Sequence, residues 1–128
     1  MPRRIISGEK APRPAGPYSP GVAWDRLVFT AGQVGVDPAT RKPAEGGVRE
    51  QTRQVLKNVQ AVLEAAGTDL GHVVKTTCFL TDIGDFAAFN EVYREFFPDD
   101  PPARSTVQAG LVPPYMVEIE AIAVIGDD

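Results

Sequence analysis

The chain has 128 residues, a formal net charge of −4, 43% hydrophobic and 23% charged residues. That length suits a single domain over residues 1–128, able to bury on the order of two-thirds of its unfolded surface without a metal or disulfide. The acidic balance disfavours nucleic acid as a partner, the single cysteine, Cys78, excludes an internal disulfide, and no apolar run approaches the ~20 residues of a membrane span.

The opening "MPRRIISGEK" carries charge without an apolar signal region, so a soluble cytoplasmic protein with no membrane contact is expected. "APRPAGPYSPG" (11–21) is rich in proline and glycine and reads as a stiff surface loop. "RLVFTAGQVGV" (26–36) reads as a strand in which Gly32 and Gly35 mark close backbone approaches. After a connection over 37–47, Val48, Thr52, Val55, Val59, Val62, Leu63 and Ala66 recur at helical spacing, and Gly67 stands where such a helix ends.

"HVVKTTCFLT" (72–81) is a β-branched strand. Asp85 is placed to cap a second helix carrying Phe86, Phe89, Tyr93, Phe96 and Phe97, stopped by Pro98 and "PDDPP". Two strands, about 103–109 and 115–125, close the chain, and the short "GLVPP" between them predicts a hairpin. Two amphipathic helices pack most economically on one face of a single mixed sheet, an α+β arrangement. "VEIEAIAVI" is apolar on both sides, so its second face needs cover. With no helix left over, a second copy of the chain is the expected cover.

Alternation along a strand sends Arg104, Thr106 and Gln108 one way and puts Glu118 and Glu120 on one face, ~7 Å apart at ~3.4 Å per residue. Whether arginine and glutamates share a side depends on the register. One reading is a structural cross-strand ion pair, with Glu120 the favoured partner. The other is a site in which a desolvated glutamate with a raised pKa serves as base and the guanidinium fork grips a carboxylate. Such a pocket suits a small 2-substituted carboxylic acid.

"AGPYSPGV", "TAGQVGVD", "QTRQVLKNVQAVLEAAG", "VVKTTCFLTD", "FAAFNEVYREFF", "PARSTVQ" and "VEIEAIAV", in that order, resemble the Rid family of reactive-intermediate deaminases, also called YjgF-like or L-PSP endoribonuclease-like proteins. The resemblance implies a chorismate-mutase-like α+β subunit assembled as a homotrimer, with three sites between neighbours. It places the carboxylate-holding arginine on Arg104 and the water-directing glutamate on Glu118, the catalytic pair. Tyr18, Gly32, Asn90 and Thr106 fall on the substrate-binding positions. Many members have cysteine where Thr106 stands and serine where Ala31 stands, departures that bear on substrate preference.

The implied reaction is hydrolysis of a 2-imino acid, such as 2-iminobutanoate, 2-iminopropanoate or its enamine tautomer 2-aminoacrylate, to a 2-oxo acid and ammonia. It requires no metal and no cofactor. The competing readings are a non-catalytic trimer that binds small carboxylates or acts as a chaperone, and an endoribonuclease. The acidic charge and the lone histidine, His72, count against RNA cleavage. His72 itself reads as a surface residue and Cys78 as core packing.

Overall fold

Val55, Val59, Val62 and Leu63 are all buried, and their three- and four-residue spacing explains why Val48–Ala65 winds as a helix, α1, with one stripe turned inward. Its start is secured by the Glu50 side chain, which accepts a hydrogen bond from the Gly47 N–H at 2.8 Å. It ends where Gly67 adopts φ +91°, open to glycine without a Cβ clash. In the computed structural model, which describes residues 3–126, this stripe lies on one face of a seven-stranded sheet.

The strands are β1 (Arg4–Ile6), β2 (Gly21–Trp24), β3 (Leu27–Thr30), β4 (Gln33–Val34), the small separate pair β5 (Val36–Asp37) and β6 (Lys42–Pro43), β7 (Val73–Leu80), β8 (Ala103–Gln108) and β9 (Val117–Val124). The second helix, α2, spans Phe86–Phe96. Sheet order is β1-β2-β3-β9-β7-β8, with β4 continuing beside β9 past the end of β3. Among the described strands only the β7–β8 pairing is parallel, so the sheet is mixed. Both helices pack on the same side: α1 lies against β9, and α2 reaches the sheet through a 2.8 Å hydrogen bond between the Tyr93 and Thr76 hydroxyls. Two helices on one face of a mixed sheet match the expected α+β subunit.

Three expectations are corrected. The strands at 103–109 and 115–125 do not form a hairpin. β7 lies between them, pairing parallel with β8 and antiparallel with β9, because the interior place went to β7, whose Thr76, Cys78 and Leu80 are all buried. The single strand expected over 26–36 breaks at Ala31–Gly32. There the Thr30 hydroxyl takes the Ala121 N–H at 3.0 Å and the Ala31 N–H turns to the Pro20 carbonyl at 2.8 Å, so side chain and loop replace the ladder bonds. Finally, Asp85 makes no side-chain cap bond; the capping carboxylate is that of Asp82, which accepts from the Gly84 N–H at 2.8 Å ahead of α2.

The sheet's helix face is core: Val117, Ile119, Ala121 and Ala123 are buried. Its other face holds Ile5, Trp24, Leu27, Phe29 and Val107, all exposed in the single chain. A soluble monomer rarely leaves so broad an apolar surface in water. Among the described residues, no helix is long and apolar enough to cross a membrane.

Candidate active site

Thr76 pairs with Arg104 on one side and Ala121 on the other, whereas Phe79 pairs with Val107 and Glu118. Positions 76 and 79 lie on opposite faces of β7. Arg104 therefore leaves the sheet on the helix side, and Glu118 leaves it on the open side. The expected ion pair between Arg104 and a glutamate, with Glu120 favoured, does not form, because β7 fixes the parity against it. The described ion pairs lie elsewhere, between Arg49 and Glu91, Arg53 and Glu95, and His72 and Asp69.

Arg104 is partly buried, and its guanidinium carbon lies over the rings of Tyr93 at 4.7 Å and of Phe86 and Phe89 at 5.5 Å. Among the described residues no carboxylate stands within ion-pair distance of it. It lines a hollow of about 350 Å³ with Asn90, Tyr93 and Arg94 from α2 and the prolines that follow that helix. Thr106 projects from the same face two residues on. Its hydroxyl is buried and has no hydrogen-bond partner among the described residues, which costs free energy unless a ligand satisfies it. The strand neighbour Cys78 is buried in the core, where desolvation pushes its thiol up to about 11, so it packs and does not react.

The second set gathers around the break at Ala31–Gly32. A Cβ on Gly32 would lie 2.8 Å from the Glu118 carboxyl carbon, so glycine there makes room for that carboxylate. Partial burial raises the Glu118 pKa above its ordinary value, and Glu120 on the same face raises it further. Tyr18 is half-exposed, its hydroxyl accepting from the Ala15 N–H at 3.2 Å. It lines a cleft of about 600 Å³ with Gly32, Gln33, Pro20 and Tyr115. The six expected residues thus form two constellations: Arg104, Asn90 and Thr106 on one, Tyr18, Gly32 and Glu118 on the other.

A family model described as Endoribonuclease L-PSP matches residues 8–125. The chain belongs to this family. Within it, the human 2-iminobutanoate/2-iminopropanoate deaminase is 46% identical over 125 residues, covering 97% of this chain and 91% of the human one. A RutC family protein of Pyrococcus horikoshii is 46% identical over 122 residues, 94% of this chain and 97% of its own. The crystal structure of E. coli TdcF with bound serine superposes with a TM-score of 0.90 at 43% identity, covering 96% of this chain and 99% of that one. The L-PSP endoribonuclease resemblance carried by the motifs from "AGPYSPGV" to "VEIEAIAV" is borne out.

Two buried polar residues that brace this candidate site are not among the residues the sequence motifs single out. Gln51 accepts from the Met116 N–H at 2.7 Å and donates to the Pro114 carbonyl at 3.3 Å, fixing the entry to β9 and so the level of Glu118. Asn58 donates to the Val34 and Val36 carbonyls at 2.9 and 2.8 Å, tethering the segment after Gly32 to α1. Both are polar residues on the inward side of an amphipathic helix, a signal that was there to be read.

Proposed function

We propose that the chain is a cofactor-independent deaminase of short 2-imino acids and their enamine tautomers, working as a homotrimer in which Arg104 of one copy meets Glu118 of the next. The observation that carries this reading is the Arg104 guanidinium: partly desolvated, held over rings, unopposed by a described carboxylate, and two residues from an unsatisfied buried hydroxyl. A small 2-substituted carboxylate supplies what both groups lack. The kinship with the human deaminase points to the same substrate class.

The division between faces supports the assembly. One chain cannot bring Arg104 and Glu118 to the same small molecule, since the sheet stands between them, and the apolar open face needs a protein cover. In the assembled site the fork takes the substrate carboxylate through two charge-assisted bonds, fixing C2 of the imine for attack. Thr106 hydrogen-bonds the bound acid or its nitrogen. Asn90 lines the same hollow, while Tyr18 and Gly32 shape the opposite wall, with Tyr18 closing the pocket against solvent.

Glu118, whose raised pKa suits a base, takes a proton from water as the oxygen adds to C2 of the protonated imine (C=NH2+). The carbinolamine that results carries the old imine nitrogen as an amine. The proton held on Glu118 passes to that nitrogen, the C–N bond breaks, ammonia leaves, and the hydroxyl proton is released as the C=O of the 2-oxo acid forms. One water is consumed per ammonia. An imine carbon is already electrophilic, so orientation and one proton shuttle suffice. An RNA substrate is disfavoured by the net charge of −4 and by Glu118 and Glu120 on the open face. The cytoplasm is the compartment we assign, consistent with a buried free thiol at Cys78.

The test is a panel of imines generated in situ by an amino-acid oxidase, with loss of the trapped semicarbazone as readout. The wild-type chain accelerates loss of the short aliphatic imines, and Arg104→Ala, still assembled, does not. Full activity in Arg104→Ala would remove the carboxylate clamp from the mechanism.

A further inference from the structure

We infer that Phe86, Phe89 and Tyr93 are positioning residues for Arg104, an aromatic shelf that holds the guanidinium as a counter-acid would while leaving its N–H fork free. The inference rests on the deaminase reading above and adds the means by which the clamp stays open. Positions 86, 89 and 93 fall on one side of α2, and the guanidinium carbon lies 4.7 to 5.5 Å from the three ring centroids. Tyr93 is also braced by two tilted rings, with centroids 5.6 Å from Phe89 at 44° and 4.8 Å from Phe97 at 39°.

The shelf is tied to the strand beside the one that launches the arginine. Tyr93 shares its 2.8 Å hydrogen bond with Thr76, and Thr76 is the β7 residue in register with Arg104. One row of the sheet therefore sets both the start of the arginine side chain and the place of the ring beneath its end. The negative π faces attract the cation but present no carboxylate oxygens to occupy its donors. A glutamate there would satisfy the fork and compete with every incoming carboxylate. Rings restrict the rotamers and exclude water, so less ordering remains to be done on binding.

Phe86 is the position to test, because it is the exposed member of the three, at 39%, whereas Phe89 and Tyr93 belong to the core. Phe86→Leu keeps an apolar side chain without a π face; Phe86→Tyr restores the face; mono-, di- and trifluorophenylalanine at 86 weaken it stepwise with little change of shape. We expect the dissociation constant of 2-oxobutanoate, measured by calorimetry, and KM for the short imine to rise roughly three- to tenfold in Phe86→Leu. They should climb with each fluorine and return to wild type in Phe86→Tyr, with kcat moving less than KM. A merely structural ring would not respond to fluorination. Flat values across the fluorinated series, with Arg104→Ala inactive, overturn the shelf and leave the clamp standing. If Arg104→Ala keeps full turnover, the clamp itself fails and the shelf with it.

Discussion

Arg104 and Glu118 stand on opposite faces of one sheet, beside Thr76 and Phe79 of the same strand. In the proposed trimer this separation makes the two residues separable halves of a site. Arg104→Ala and Glu118→Gln should each be inactive as pure proteins. When coexpressed, mixed assemblies should regain activity, because about one interface in four in a random cyclic assembly pairs the intact arginine with the intact glutamate. Activity in the mixture no greater than in either variant would show that the two halves do not meet.

With Glu118 as the proposed base, its raised pKa should set the acid limb of the rate profile. As a base it must be ionised, so kcat/KM should fall as pH drops through that raised value. Glu120→Gln removes the like charge that adds to the shift and should move the limb to lower pH. The stability sign runs the other way from a salt-bridged acid. Protonated Glu118 is favoured in the folded chain, and that contribution is lost as pH rises through the raised value. Glu118→Gln should therefore be inactive yet melt no lower than wild type at pH 7, as differential scanning calorimetry would read. An acid limb unmoved by Glu120→Gln would separate Glu118 from the rate.

Gly32→Ala places a methyl where the Glu118 carboxyl lies. Displacing that carboxylate by about 1 Å should lower kcat/KM roughly a hundredfold, with a stability loss of about 1–3 kcal/mol from overpacking. Near wild-type kinetics in a folded Gly32→Ala would exclude Glu118 as the water-directing group.

Thr106→Val removes a buried hydroxyl that has no partner among the described residues. An unsatisfied group of this kind costs roughly 1–3 kcal/mol, so the variant should melt at or above the wild-type temperature. Its kcat/KM should fall roughly tenfold if the hydroxyl bonds the substrate. Unchanged kinetics would leave the hydroxyl outside the site.

Phe29, 40% exposed in the single chain, sits on the open face opposite Ile122. Phe29→Asp should split the assembly in analytical ultracentrifugation and abolish turnover in the same step. A variant that stays assembled and active would move the interface elsewhere.

Much of the architecture was legible in the residues because it is local. The apolar spacing of α1, the left-handed Gly67, the aromatic side of α2 and the β-branched run at 73–80 each carry their own period or stop signal. The chemistry of the candidate site residues was also legible by type: a lone charged residue near the start of the strand "ARSTVQ", and paired glutamates on one strand face. Their mutual placement was not. A short link between two strands favours a hairpin by entropy, but burial of Thr76, Cys78 and Leu80 seats β7 between β8 and β9, and parity then follows from a pairing of residues far apart in the chain. Periodicity along one segment records which faces are apolar, not which segment becomes its neighbour. Only the folded sheet decided that Arg104 looks toward the rings of α2 while Glu118 looks toward the open side, since side-chain direction is set by register and register by long-range contacts.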